Sequence, residues 1–249
     1  MPNLLHLGGA ETDRLVESPF VVLPLGSVEY HGPHAPLGTD TTLAVGFAEQ
    51  IASDFGALAL PPIIYTFAPR ITSRYRGTFS VAADVFLEYL TEVLTATARN
   101  GARRILVVNG HSENQYALRL ASERLSLREP DVSLLMVNWW KLVDVPPEGF
   151  SEHGGHGHGG PLEISATAAF EQAGIEPSRA ENIRYELPWW RQAAQIVGRG
   201  QAPAGFAGYH GKVDEISIER GREIVEQVKR KLKQLVGEWL ERAEAEDRT

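Results

Sequence analysis

Phe20-Val21-Val22-Leu23-Pro24-Leu25, running into Gly26-Ser27, is the stretch from which the fold can be read. It is apolar at every position rather than at every second one, and it ends in a turn signal. That pattern fits a strand buried on both faces, as strands of parallel sheets are. Three more runs share the character: Ala57 to Leu60, Ile105-Leu106-Val107-Val108, and Val132 to Val137. Between the runs the apolar period lengthens. Thr41 to Phe55 spaces Leu43, Phe47 and Ile51 four residues apart, and Asp84 to Asn100 carries Phe86, Leu87, Leu90, Val93 and Leu94 before Gly101. Asn114 to Arg128 and Pro161 to Ala173 also read as helices, and Ser217 to Glu244 aligns Ile224, Val228, Leu232, Leu235 and Trp239 on one stripe. Strands alternating with helices predict an α/β protein: one three-layer α/β/α domain over residues 1–249 with a largely parallel central sheet.

Composition narrows the function classes. The 249 residues are 43% hydrophobic and 22% charged, an ordinary globular balance. Lys and Arg number 24 against 32 Asp and Glu, a net charge of −8 with no long basic stretch, which argues against a nucleic-acid or membrane-surface partner. The absence of cysteine excludes disulfides, thiolate-held zinc, iron–sulfur clusters and thiol nucleophiles. The N-terminus reaches Glu11 and Asp13 too soon for a secretory signal, and no apolar run approaches the ~18 residues of a membrane span. A soluble cytoplasmic protein is expected.

Six of the eight histidines fall in three short segments. Gly26-Ser27-Val28-Glu29-Tyr30-His31-Gly32-Pro33-His34, followed by Asp40, comes directly after the first predicted strand. Val108-Asn109-Gly110-His111-Ser112-Glu113-Asn114 comes directly after the third. Ligands of open parallel sheets bind beyond the carboxyl ends of the strands, so the two segments can share one site. Mixed imidazole and carboxylate donors suit a first-row divalent ion. In Glu29-Tyr30-His31 and His111-Ser112-Glu113 a single intervening residue lets both members of each pair point the same way from extended backbone. Two such pairs with a bridging Asp40 make two three-ligand sites with open positions.

Other readings stand beside this one. Asp40 taken alone reads as an N-cap of the following helix, and His31, His111 or Glu113 taken singly as local hydrogen-bonding or capping groups. The third segment, Ser151 to Pro161 with His153, His156 and His158, is either a metal-scavenging tract or a loop that delivers a histidine to the site, Pro161 opening the next helix. Its formal G-x-G-x-x-G lacks the preceding strand that a dinucleotide site needs.

The motifs resemble those of the creatininase (creatinine amidohydrolase) family. Glu29-Tyr30-His31-Gly32-Pro33-His34 with Asp40, Asn109-Gly110-His111-Ser112-Glu113-Asn114, His158-Gly159-Gly160-Pro161-Leu162-Glu163-Ile164-Ser165 and Gly77-Thr78-Phe79-Ser80 follow the family's order across residues 20 to 220. The resemblance implies an α/β homohexamer or other homo-oligomer that hydrolyses C–N bonds of small amides with two divalent metal ions, Zn, Mn or Fe. Carried over by motif, Glu29, Asp40 and His111 hold one ion, His31, Asp40 and Glu113 hold the other, and His158 transfers protons. The small-molecule substrate is expected to be a cyclic amide or a formamide, acted on at a non-peptide bond, with a cyclic diketone, a short peptide or a non-catalytic metal-binding role as alternatives. Ser112 stands where creatininases carry an aromatic residue, and Gly154 and Gly157 where they carry tryptophan and glutamate, which argues against creatinine itself. Ser112, Trp139, Trp140 and His156 are the candidate substrate contacts, core packing being the other reading for one of the tryptophans.

Overall fold

The computed structural model describes residues 3–144, 147–150, 155–183 and 205–246. Among them, β1 (Val21–Leu25), β2 (Leu58–Ala59), β3 (Arg104–Asn109) and β4 (Ser133–Asn138) form one parallel sheet in the order β2-β1-β3-β4. The helices are α1 (Arg14–Glu17), α2 (Thr39–Phe55), α3 (Arg70–Ser73), α4 (Ala83–Arg99), α5 (Asn114–Arg128), α6 (Pro161–Phe170) and α7 (Ile218–Glu246). No helix among the described residues is long and apolar enough to cross a membrane.

The two-residue period of the strands sorts their side chains into two cores. Val22, Leu106, Val108 and Val137 pack against Leu43, Phe47 and Ile51 of α2, Leu162 and Ala166 of α6, and Ile224, Val228 and Leu232 of α7. Val21, Leu23, Leu25, Ile105 and Val107 pack against Phe86, Leu90 and Leu94 of α4 and Leu118, Ala121 and Leu125 of α5. Apolarity on both strand faces is thus the trace of helices on both sides of the sheet, the predicted three-layer α/β/α arrangement. Pro24 sits in an interior strand without breaking it. Its carbonyl accepts from Ile63 N on the β2 side, so its missing N–H also faces that side, where β2 has already ended.

Helix limits differ from the sequence reading at two informative places. α6 stops at Phe170, because Glu171 is extended and its carboxylate takes the amide of Ala173. α2 begins at Thr39 with Gly38 as its cap, which puts Asp40 inside the first turn and not at the N-cap. The register Leu25↔Asn109↔Asn138 brings three strand ends level. The first turn of α2 then lies so close over them that a Cβ on Gly110 would sit 2.0 Å from the Asp40 carbonyl oxygen.

Candidate metal centre

Asparagines and hydroxyls secure the strand ends first. Asn109 Oδ1 accepts from the backbone N–H of His111 at 3.1 Å and from Asn114 Nδ2 at 3.2 Å, and Asn109 Nδ2 donates to Asn138 Oδ1 at 2.8 Å. The Gly26 carbonyl accepts from Asn114 Nδ2 and Thr66 Oγ1, and the Ser27 carbonyl from Thr41 Oγ1. Both histidine-bearing turns are therefore tied to the sheet and to α2 before their side chains meet.

Those side chains meet in a buried cluster. His111 Nε2 lies 3.2 Å from the Phe67 carbonyl, which can only accept, so this nitrogen carries the ring proton. Its Nδ1 lone pair then faces Glu29 Oε2 and Asp40 Oδ2, each at 3.0 Å. His31 repeats the scheme: Nδ1 donates to the Glu29 carbonyl at 2.9 Å, and Nε2 faces Asp40 Oδ1 at 3.3 Å and Glu163 Oε2 at 3.7 Å. Ser27 Oγ donates to Asp40 Oδ2 at 2.6 Å. Glu29 Oε2 and His31 Nε2 are buried without a hydrogen-bond partner. Lone pairs of imidazole and carboxylate pressed together repel unless a proton or a cation lies between them. A ring anchored through its far N–H to a carbonyl is the usual setting of a metal-ligating histidine.

The titration behaviour fits the same geometry. Burial alone would lower the His31 pKa, but Asp40 and Glu163 outweigh it and push it up to about 10. Burial also opposes the charge on His111, yet Glu29 and Asp40 raise it well above the ordinary value. Burial disfavours the carboxylate of Glu29, but His111 and His158 bring it down to about 2. With no cation present the cluster therefore favours a second proton on His31 and on His111, in the places that a divalent ion would take.

Among the described residues the donor atoms form three mutually close groups: Glu29, Asp40 and His111; His31, Asp40 and Glu163; and Glu29, His31 and His158. The first two share Asp40. His158 closes the cluster from α6's side, its ring centroid 4.1 Å from that of His31. Its Nε2 donates to the Tyr30 carbonyl at 2.8 Å, leaving Nδ1 bare at 3.9 Å from Glu29 Oε2. Burial, then the charge of His31, pushes the His158 pKa down to about 4, so the ring is neutral near pH 7.

Of the residues expected from sequence, Glu29, His31, Asp40, His111 and His158 come together. Glu113 falls outside the three groups. It has helical backbone angles at the start of α5 and lines a groove of about 240 Å³ with Phe67, Phe86, Leu87, Tyr116 and Leu120. Burial raises its pKa, and His111 partly offsets this. Ser112 is exposed and His156 half-buried, neither within the groups. Trp139 does not form a wall of the cluster: it is 1% exposed, stacked on Phe47 at 5.7 Å, and Trp140 packs edge-on to it against the same core. The 3-10 turn that follows β4 directs both rings inward. His153 lies outside the described residues. Glu163, which has no role in the sequence motifs as read above, joins the cluster beside His31. Its signal was a carboxylate on the first turn of a helix opened by Pro161, five residues after His158.

The family model for creatinine amidohydrolase, Creatininase, matches residues 9–236. The chain belongs to the creatininase family. A family relative, the 3-dehydro-scyllo-inosose hydrolase of Thermotoga maritima, is 30% identical over 132 residues, 53% of this chain and 42% of that protein. The chain thus spans less than half of that relative's length. The mycofactocin precursor peptide peptidase of Mycobacterium tuberculosis is 32% identical over 189 residues, 72% of this chain and 70% of that protein. A solved creatinine amidohydrolase (creatininase) shares the fold with a TM-score of 0.83 at 23% identity, over 96% of this chain and 97% of that one. Solved creatininases include forms described as Zn–Zn and as Mn.

Proposed function

We propose that this chain is a dinuclear metal-dependent hydrolase that cleaves a C–N bond of a small cyclic amide or a formamide. Glu29, Asp40 and His111 would hold one divalent ion, and His31, Asp40 and Glu163 the other, Asp40 being common to both donor groups. The observation that carries this reading is the pair of imidazole lone pairs, one from each histidine-bearing turn. They face opposite oxygens of the same aspartate while their far nitrogens are spent on backbone carbonyls. Three carboxylates and two imidazoles suit zinc, manganese or iron. Bound there, two ions would polarise an amide carbonyl and acidify a water.

The chain's own residues handle the rest. The Tyr30 carbonyl fixes the tautomer of His158, so that Nδ1 faces the cluster as an acceptor. A neutral Nδ1 can take a proton from the attacking water and return it to the departing nitrogen, so water and amide become acid and amine with the histidine unchanged. Ser27 holds Asp40 in place without adding charge.

A second reading, a short peptide as substrate, is favoured by the groove beside Glu113, which has room for an apolar side chain, and by the likeness to the mycofactocin peptide peptidase. Assembly into a homo-oligomer, expected from the resemblance, is supported by exposed Val85 and Tyr89 on α4 and Tyr116 and Leu120 on α5. Elemental mass spectrometry of untagged protein purified without chelator tests the centre itself. Two ions per chain are expected, together with turnover in a panel of cyclic amides, formamides and short peptides. No ions, and no uptake of added zinc or manganese, would end this reading.

A further inference from the structure

His34 closes the first histidine-rich motif, yet it belongs to none of the donor groups. It is fully buried. One edge of its ring meets Tyr209, with centroids 4.8 Å apart at 66°, and a Cβ on Gly32 would lie 2.7 Å from its Nδ1. Its Nε2 lies 3.1 Å from the carbonyl oxygen of Gly159, 125 residues away in sequence and immediately after His158. Since a carbonyl only accepts, Nε2 carries the proton. Nδ1 is buried without a hydrogen-bond partner, which is the state of a neutral ring with its single donor committed to Gly159.

We propose that His34 is a positioning residue for His158, setting the tilt of the turn that presents Nδ1 to the cluster of Glu29, His31 and Asp40. The proposal rests on the reading of His158 as the proton-transfer group.

The turn is a short one, Gly157-His158-Gly159-Gly160, closed by Gly160 N–H donating to the Gly157 carbonyl at 3.0 Å. Three contacts orient its peptide planes. His210 N–H donates to the His158 carbonyl at 2.8 Å, Gly159 N–H donates to Glu163 Oε2 at 2.8 Å, and His34 Nε2–H donates to the Gly159 carbonyl. The first comes from backbone, and the second from a carboxylate that also faces His31. His34 is the side chain whose proton is spent on the turn alone. Gly159 has φ +62°, and a Cβ there would lie 2.6 Å from the His31 carbonyl, so the turn lies flat on the segment that bears both His31 and His34. Through His34, one stretch of chain holds Glu29 and His31 and also fixes where His158 stands relative to them.

The test separates the hydrogen bond from the packing. His34→Phe keeps an aromatic ring against Gly32 and Tyr209 and removes the donor; His34→Gln keeps a donor. Both are expected to fold and to bind zinc at the wild-type stoichiometry. Long-range ¹⁵N–¹H spectra of histidine-labelled protein, recorded zinc-free and zinc-loaded, report the ring tautomers. His158 is expected as the single Nε2–H tautomer in wild type and His34→Gln, and as a shifted, averaged signal in His34→Phe, with His31 and His111 unmoved. On any amide the wild type turns over, His34→Phe should lower kcat on the order of 10- to 100-fold with KM within about twofold, the scale of a small misplacement of a catalytic group. His34→Gln should restore most of it. A His34→Phe protein with the wild-type His158 signal and rate would overturn the proposal, and so would loss of zinc or of folding in His34→Gln. If the wild type turns over nothing in the panel, the hydrolase reading fails, while the spectra still decide whether His34 positions His158.

Discussion

Two carboxylate–histidine pairs of identical spacing follow two neighbouring strands, and they end in different places. Glu29 and His31 follow β1 in a segment that is neither strand nor helix, and both side chains enter the cluster. His111 enters it as well, but Glu113, two residues on, has φ −70° and ψ −22° and has already begun to turn into α5. Its carboxylate is carried to the groove between α4 and α5, and Glu163 from the first turn of α6 faces His31 instead. Spacing of i, i+2 aligns two side chains only while the backbone stays extended, and one helical residue is enough to separate them.

The sharpest test of that difference begins with what both halves share. Asp40→Ala should take the zinc content from two ions per chain to none and abolish turnover. Two ions lowering a water's pKa by roughly nine units correspond to on the order of 12 kcal/mol of easier ionisation. Full occupancy in this variant would remove Asp40 from between the ions. Next, Glu163→Gln should cost one of the two ions while the amide oxygen still accepts from Gly159 N–H, so that the His158 turn stays put. Unchanged occupancy would return the second site to Glu113.

His158→Ala should keep both ions and lose about 10²–10⁴ in kcat, the range for one acid–base group. A full rate would take it out of the reaction. In chelator-treated protein the charge pairing of His31 should appear as a pH dependence. Its folded pKa of about 10 lies above the ordinary 6.5, because Asp40 and Glu163 overcome the cost of burial. The stabilisation is thus complete below pH 6.5 and is lost as pH rises from 6.5 to 10. The melting temperature of the chelated protein should fall across that window relative to zinc-loaded protein, and parallel curves would contradict the pairing. The smallest effect belongs to Glu113→Gln, which should leave both ions bound; loss of one ion would restore the simple reading of the His111-Ser112-Glu113 motif.

Much of this was legible beforehand. The strand runs fell within a residue or two of the observed strands, since apolarity on both faces of Val21–Leu25 and Ile105–Val108 records burial directly. α5 occupies its predicted span, Asn114–Arg128. The meeting of Glu29, His31 and His111 was legible because turns at the carboxyl edge of a parallel sheet are brought side by side. Asp40 was ambiguous: a carboxylate beside a helix start fits a cap as readily as a ligand, and the cap at Gly38 removes the first of these readings. Trp139 stood between substrate contact and core packing because an aromatic after a strand looks the same in sequence whether the next turn faces inward or outward, and it packs in the core.

The sequence by itself determined the layers, the sheet edge that gathers the polar side chains, and the donor chemistry, because periodicity and residue type are local properties. Only the tertiary structure decided which of two carboxylates faces His31, that His34 reaches the turn carrying His158, and that both tryptophans pack against the core. Each of these depends on where α6 docks across the sheet or on the backbone angles of a single residue. Packing over more than a hundred residues of separation fixes such features, and local pattern does not encode them.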